Sequence, residues 1–254
     1  MITSTSNDKI KHVTQLVRNT KARRKEGVFV AEGTRFASEI PEDKLVECFV
    51  SEDYLKTDPD LSVFGYDTEP VEVSSAVFGK MSDTDNPQGI LCVCRQDQHD
   101  LNDFLSKRKG AVRLLVLEGI QDPGNLGTMI RTAEGAGFDA VIADENTVDA
   151  YNPKVIRSTM GSIFRVPFIS VSDLPGTVEQ LKNAGITVYA AHLDGKRNYR
   201  EEEYGDRIAF LIGNEGNGLS EEITKKADIL VKIPMQGKLE SLNAAIAAAL
   251  LMYR

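Results

Sequence analysis

The sequence contains few of the residues that build disulfide or metal sites. It has three cysteines and three histidines in 254 residues. An odd cysteine count with one Cys-x-Cys pair, Cys92 and Cys94, fits neither a disulfide framework nor a zinc site. His12, His99 and His192 are scattered, without the spacing of metal ligands. We therefore predict no metal site, and cysteines that serve as packing residues in a reducing compartment.

Long apolar segments are also absent. No stretch approaches the ~20 apolar residues that a membrane helix needs, and residues 1–12 lack the apolar core of a secretory signal. These absences predict a cytoplasmic protein without a membrane partner. The hydrophobic content of 41% and charged content of 27% are ordinary for a globular protein. The chain is long enough for one large domain or two modest ones.

Common nucleotide-binding and hydrolase motifs are missing as well. There is no G-x-x-x-x-G-K-[ST] phosphate loop and no G-x-S-x-G elbow. The Gly-rich stretch LIGNEGNGLS, residues 211–220, has the spacing G-x-x-G-x-G after a late strand. A Rossmann site needs G-x-G-x-x-G after an early strand, so a dinucleotide enzyme is a distant alternative. Ligands of open α/β sheets bind at the carboxyl ends of strands, so the stretch remains a candidate for a phosphate cradle, a cofactor loop or a plain turn.

Charge is distributed unevenly along the chain. The net charge of −8 disfavours a nucleic-acid partner for the chain as a whole. Residues 1–35 nevertheless carry eight basic and three acidic residues, a local charge of +5, so the remainder carries −13. A basic segment on an acidic protein indicates a localised contact with a polyanion, although a solvated helix face would show the same charge.

Hydrophobic periodicity predicts two consecutive α/β units. Residues 9–20 show apolar side chains at helical spacing, and short strands alternate with helices up to residue 96. A second series begins with the nearly continuous apolar strand 112–119, typical of a buried parallel strand, and ends in an Ala- and Leu-rich helix. We predict a small N-terminal α/β domain at 1–98, a linker at 99–110 and a C-terminal parallel-sheet α/β domain at 111–254.

Three C-terminal stretches resemble, in order and spacing, the motifs of a known family. They are NLGTMIRTAEGAGFDAVI (125–142), LIGNEGNGLS (211–220) and IPMQGKLESLNAAIAAALLMYR (233–254). They resemble the three motifs of the SpoU (TrmH-type) RNA ribose 2′-O-methyltransferases of the SPOUT class. Residues 152–167 resemble the segment that connects the first two motifs. Residues 4–36 are similar to the substrate-binding domain of the ribosomal-RNA branch.

This resemblance implies a fold, a cofactor and partners. The C-terminal domain is expected to contain a deep trefoil knot, and the N-terminal domain to bind RNA rather than DNA. The cofactor is expected to be S-adenosylmethionine, and the protein a homodimer. The implied reaction moves a methyl group from a sulfonium to a ribose 2′-hydroxyl. The substrate that the resemblance favours is large-subunit ribosomal RNA.

The resemblance also implies site residues. The implied catalytic residues are Asn125, Arg131, Glu215, Ser241 and Asn243. The implied cofactor-binding residues are Gly213, Asn214, Gly216, Ile233, Pro234, Met235 and Leu242. The RNA-binding residues expected from the basic segment and the connecting segment are Lys9, Lys11, Arg18, Arg23, Arg24, Arg35 and Arg157.

Arg131 is the catalytic residue that the resemblance proposes, and two roles are open. A guanidinium is a poor base because it keeps its proton in almost any protein setting. Arg131 either accepts the hydroxyl proton when its surroundings shift its state, or clamps a phosphate and stabilises a developing alkoxide. Glu215 is expected to orient Arg131 or to shape the cofactor loop. Gly213 and Gly216 are expected to let the backbone approach the cofactor without a Cβ.

Several other functions stay open. A transfer-RNA ribose methyltransferase is the alternative within the family, but the separate domain at 1–98 favours ribosomal RNA because transfer-RNA relatives tend to have short extensions. A methyltransferase that confers antibiotic resistance would have the same layout. A non-catalytic RNA-binding factor of ribosome assembly is disfavoured by the complete set of catalytic residue types.

Overall fold

A computed structural model describes residues 1–57, 59 and 69–254. Its contacts divide the chain into two compact units. The N-terminal unit comprises Met1–Asp97 and Asp149–Phe164, and the C-terminal unit comprises Gln98–Val148 and Arg165–Arg254. None of the described helices is both long and apolar enough to cross a membrane.

The N-terminal unit is built on a four-stranded sheet in the order β1-β4-β2-β3. β4 pairs antiparallel with β1 and β2, whereas β2 and β3 are parallel. The strands are Val28–Glu32 (β1), Leu45–Ser51 (β2), Val71–Val73 (β3) and Ile90–Arg95 (β4). The helices are Asp8–Arg18 (α1), Thr20–Glu26 (α2), Thr34–Ala37 (α3), Glu52–Leu55 (α4), Ser75–Met81 (α5) and Pro153–Thr159 (α8), with single 3₁₀ turns at Glu42–Lys44 and Ser162–Phe164.

Helix α1 confirms the periodicity expected over residues 9–20. The Asn7 side chain caps it by accepting a hydrogen bond from the backbone of Lys9, as N-cap residues do. Its apolar face is fully covered by the sheet and α5, and consists of Ile10, Val13, Leu16 and Val17. Asn19 ends α1 and accepts hydrogen bonds from the first residues of α2, so one side chain separates the two helices.

Residues 149–164 pack within the N-terminal unit. The rings of Tyr151 and Phe164 lie 5.0 and 5.8 Å, centroid to centroid, from the ring of Phe29 in β1. The domain boundaries predicted from the sequence place this segment in the C-terminal domain. Its position in the chain and its helical pattern do not show which sheet it covers. Its aromatic contacts with β1 determine where it packs.

The C-terminal unit is built on a seven-stranded sheet in the order β7-β6-β5-β10-β8-β11-β9, and every pairing is parallel. The strands are Val112–Leu117 (β5), Ala140–Asp144 (β6), Phe168–Val171 (β7), Thr187–Ala191 (β8), Arg197–Asn198 (β9), Arg207–Ile212 (β10) and Ile229–Lys232 (β11). The helices are Leu101–Ser106 (α6), Pro123–Gly135 (α7), Leu174–Asn183 (α9), Glu221–Lys226 (α10) and Ala244–Met252 (α11).

The parallel α/β architecture confirms the expectation from the sequence. β5 and β10 are adjacent and almost entirely buried, which explains their continuous apolar sequences. The segment 99–110, expected to be a linker, contains α6, whose Leu101 and Phe104 belong to the core of this unit. The segment contains many charged residues, so the two apolar positions do not by themselves indicate a helix that packs on the core. The trefoil knot implied by the resemblance stays a prediction.

Candidate active site

A cavity of about 390 Å³ lies at the carboxyl ends of the neighbouring strands β8, β10 and β11. Its walls come from the last residue of each strand and the segment that follows it: residues 191–194, residues 212–219, and seven residues between 232 and 247. Ligands of open α/β sheets bind at this edge, and small-molecule sites have volumes of about 300–1,000 Å³. The cavity is therefore of suitable size and position for a small ligand.

Most of the predicted cofactor-binding residues line this cavity. They are Gly213, Asn214, Gly216, Ile233, Met235 and Leu242. Pro234 is not among the lining residues, whereas Glu215 and Ser241, predicted as catalytic, are. Sequence reasoning missed the end of β8 and the segment after it, which contribute Ala191 through Asp194. The rule that sites form at carboxyl ends of strands applies equally to this strand and would have indicated it.

The Gly-rich stretch forms a closed turn. The backbones of Asn214 and Gly218 exchange two hydrogen bonds of 3.0 and 2.9 Å, and Gly218 has a φ of +69°. A Cβ on Gly213 would lie only 2.1 Å from the carbonyl carbon of Gly218. The absence of a side chain at Gly213 is thus required by the turn itself. A Cβ on Gly216 would meet only the Asn214 side chain, at an ordinary 3.5 Å.

Glu215 binds the start of α7. One of its carboxylate oxygens accepts a hydrogen bond from the backbone of Gln121, and the other accepts from the backbone of Asp122 and the side chain of Asn125, each at 3.0 Å. Partial burial acts to raise the pKa of Glu215, but the hydrogen bonds from Asn125, Gln121 and Asp122 together outweigh it and lower the pKa below its ordinary value. A carboxylate at this end of a helix is also favoured by the helix dipole.

Asn125 connects all three motifs. Its amide nitrogen donates to Glu215, and its Oδ1 accepts a 2.9 Å hydrogen bond from Nδ2 of Asn243. Asn243 in turn caps α11, because its Oδ1 accepts from the backbones of Ala245 and Ile246. The motifs at residues 125, 215 and 243 are therefore joined by consecutive side-chain hydrogen bonds.

Arg131 lies on α7, six positions after Asn125, and its side chain is exposed. Among the described residues it has no hydrogen bond or ion pair. The contacts of Glu215 go to Gln121, Asp122 and Asn125, so the structure supports a role for Glu215 in shaping the loop and shows no direct contact that orients Arg131. Ser241 is also exposed and has no hydrogen bond within the described part of the chain.

Arg23, expected to contact RNA, is instead a structural residue. Its side chain is 2% exposed, and its Nη2 and Nε lie 2.6 and 3.1 Å from the Asp149 carboxylate. The remaining donors bind the carbonyl oxygens of Leu16 and Val17 and the hydroxyl of Thr20. The prediction of a phosphate contact for Arg23 is therefore wrong, because its charge and all its donors are used inside the N-terminal unit.

The other predicted RNA-binding residues lie on the surface of the N-terminal unit. Lys9 is paired with Glu47, and Arg157 donates to Asp83 at 3.4 Å. Lys11 forms a 3.4 Å ion pair with the neighbouring, fully exposed Asp8. Three further cations are exposed and have no acidic partner among the described residues: Arg18, Arg24 and Arg35.

The sequence matches two families. Residues 113–253 match the SpoU rRNA Methylase family, and residues 7–92 match the MRM3-like substrate binding domain. The 23S rRNA (guanosine(2553)-2′-O)-methyltransferase RlmP of Bacillus subtilis (strain 168) is 35% identical over 253 residues, which cover 99% of this chain and 97% of the relative.

Solved structures agree with this match. The AdoMet-bound rRNA methyltransferase from Sinorhizobium meliloti has a TM-score of 0.84 and 28% identity, with 99% of this chain and 95% of that chain covered. An RNA 2′-O ribose methyltransferase has a TM-score of 0.83 and 32% identity, with 99% and 96% covered. The chain belongs to the SpoU rRNA methylase family.

Proposed function

We propose that the protein is an S-adenosylmethionine-dependent methyltransferase that modifies a ribose 2′-hydroxyl in large-subunit ribosomal RNA. The observation that carries this proposal is the hydrogen-bonded series Glu215–Asn125–Asn243, which joins the three family motifs beside one cavity. The full-length similarity to a 23S rRNA methyltransferase and the match of residues 7–92 to a substrate-binding domain support a ribosomal substrate. We infer a cytoplasmic location in keeping with that substrate.

The cavity fits S-adenosylmethionine in chemistry and size. Leu219, Ile233 and Leu242 supply apolar surface for the adenosine, and the residues of the Asn214–Gly218 turn also line the cavity. When bound, S-adenosylmethionine supplies a methyl group that is already activated on a sulfonium. The residues of the chain then have to bring the hydroxyl into line and to deal with its proton.

Arg131 is the residue that we assign to the RNA side of the reaction. Its exposed guanidinium has no partner among the described residues, so it is free to bind a phosphate or to stabilise the oxygen as its proton leaves. Asn125 is on the same helix, and its bonds to Glu215 and Asn243 hold α7 against the cofactor loop and α11. We assign Ser241, on the cavity wall, to a hydrogen bond with a ligand.

We also propose that the protein is a homodimer. α11 is apolar on all sides, and Ile246 in its first turn and Tyr253, which directly follows it, are 52% and 64% exposed. A helix that is apolar all round is expected to be buried, and adjacent exposed apolar side chains mark an interaction surface. A second copy of the chain covering this side would remove the apolar surface from water.

Two measurements test the proposed function. Ribose methylation is mapped on ribosomal and transfer RNA from cells with and without the protein, and calorimetry measures S-adenosylmethionine binding to the purified chain. We expect loss of one ribose methyl group in large-subunit ribosomal RNA and stoichiometric binding. Loss of a methyl group on transfer RNA would show that the substrate is a transfer RNA instead. Absence of cofactor binding together with an unchanged methylation map would instead indicate a non-catalytic assembly factor.

A further inference from the structure

Cations of the N-terminal unit fall into two groups. Some are neutralised by carboxylates: Lys9 by Glu47, Lys44 by Asp97 and Lys56 by Asp53. Others are exposed and have no acidic partner among the described residues, and Arg18 of α1 and Lys80 of α5 belong to this group. Lys80 lies far outside residues 1–35, so the local charge of the sequence does not indicate it.

Arg18 and Lys80 line the same groove. α1 and α5 pack against each other, and a groove of about 570 Å³ along this pair is lined by Arg18, Lys80 and Lys11. No acidic side chain of the described part of the chain lines it. The ion pair of Lys11 with Asp8 is 3.4 Å long and highly exposed, and such pairs contribute little energy. Lys11 therefore remains available to an anionic ligand.

Polar side chains complete the groove. Gln15 and Asn19 also line the groove and carry side-chain amides, whereas the hydroxyl of Thr14, another lining residue, donates to the carbonyl oxygen of Ile10. Asn19 accepts hydrogen bonds at its Oδ1 from the start of α2, which leaves its Nδ2 as a donor. Three cations on a concave surface focus a positive potential, and neutral donors beside them suit the oxygen atoms of phosphate groups.

We propose that this α1–α5 groove, with Lys11, Arg18 and Lys80, binds the phosphate backbone of the substrate RNA. The inference rests on the proposed function and extends it, because it assigns the binding surface and adds Lys80 to it. The groove lies within residues 7–92, which match a substrate-binding domain. Phosphate contacts position an RNA without reading its sequence, so the groove contributes affinity and salt dependence.

The test compares two double variants that remove equal charge. Arg18→Ala/Lys80→Ala alters the groove, whereas Lys21→Ala/Lys25→Ala removes two exposed cations of α2 outside it. Binding to a protein-free large-subunit ribosomal RNA transcript is measured between about 50 and 200 mM salt. We expect the groove variant to lose roughly 0.7–0.9 in the slope of log affinity against log salt per cation, and the control to keep the wild-type slope. Lys80→Arg, which keeps the charge, should keep the slope.

The possible outcomes distinguish a wrong assignment of the groove from a wrong proposed function. If the wild type methylates ribosomal RNA but the groove variant keeps the wild-type slope, or the control loses as much, the groove is not the phosphate site. If the wild-type protein neither binds nor methylates the transcript, the proposed function fails and the groove assignment fails with it. Thermal unfolding and S-adenosylmethionine binding should be unchanged in all variants, since the substituted side chains are exposed and outside the cavity.

Discussion

Glu215 shows how much of a residue's role depends on partners distant in the sequence. A single carboxylate in a Gly-rich turn is consistent with a solvated residue, a ligand for Arg131 or a loop-shaping group. Its partner Asn125 is 90 positions away, and Asn243 is 118 positions from Asn125. The sequence shows that each motif is present. Which side chains bond to each other depends on how the folded sheet brings the motifs together.

The lowered pKa of Glu215 predicts a pH-dependent contribution to stability. Its hydrogen bonds stabilise the charged form, so the contribution is complete above the ordinary carboxyl pKa of 4.5 and is lost as the pH falls through the lower value of the folded state. Glu215→Gln should lower the melting temperature at pH 7 by roughly 1–2 °C, about 0.5 kcal/mol, because solvent screens this exposed carboxylate. Thermal unfolding from pH 7 to pH 3 should show the two proteins converging. A constant difference would contradict a stabilising charge.

Arg131→Lys distinguishes the two roles of the guanidinium. If Arg131 acts as a base, the lysine variant should gain activity as the pH rises towards about 10.4, where the amine becomes neutral. If it acts as a clamp, activity should instead fall as that charge is lost. In either case methylation at pH 7 should decrease by about 10²-fold or more, with unchanged affinity for S-adenosylmethionine. Arg113→Lys, at an exposed position on β5, is the control. Full activity of Arg131→Lys at any pH would exclude both roles.

The elements of the C-terminal unit are predicted well from the sequence where periodicity is long and uninterrupted. β5 lies within two residues of the strand expected at 112–119, and the expected Ala- and Leu-rich C-terminal helix is α11. α6 is not predicted, because it is only six residues long and its core contacts are limited to the buried Leu101 and Phe104 and the partly buried Leu105. The packing of α8 with β1 is not predicted either, since it depends on contacts between segments more than a hundred residues apart.

The ion pair of Arg23 with Asp149 connects α2 to the segment that precedes α8. Removing one partner leaves a buried, uncompensated charge, which costs about 3–5 kcal/mol. Arg23→Met should therefore lower the free energy of unfolding by that amount, whereas Arg24→Met, at an exposed neighbour, should change it little. Denaturant unfolding measures both. The double variant Arg23→Met/Asp149→Asn should recover part of the loss, and if it does not, the effect arises from packing rather than charge.

The turn after β10 offers a matched pair of glycine substitutions. Gly213→Ala places a Cβ within 2.1–2.4 Å of the Gly218–Leu219 backbone, so the turn has to open and S-adenosylmethionine binding should be lost. Gly216→Ala meets only an ordinary contact with Asn214, so the turn should persist. Calorimetry and thermal unfolding are measured for both variants. If Gly216→Ala keeps its stability but loses cofactor affinity, the ligand approaches the backbone at Gly216, as the sequence predicts.

Charge has opposite signs on different parts of the chain. The net charge of −8 argues against RNA binding by the whole surface, while the N-terminal segment carries +5. The structure removes Arg23 from the available cations and leaves exposed ones such as Arg18 and Lys80. Affinity for RNA is therefore expected to depend on a limited surface and to fall steeply with salt. An average over the sequence cannot show this because paired and unpaired cations count equally in it.

The exposed side of α11 predicts the oligomeric state of the whole molecule. If Ile246 and Tyr253 are covered by a second copy, sedimentation should give twice the chain mass of 27.9 kDa. Ile246→Glu introduces a charge into that apolar surface, and a buried unpaired charge strongly disfavours association, so this variant should sediment as a monomer. Val46→Glu makes the same change at an exposed apolar residue of β2 and should remain dimeric. A wild-type monomer at micromolar concentration, or a dimer that Ile246→Glu leaves intact, would show that the exposed side of α11 is not a dimer interface.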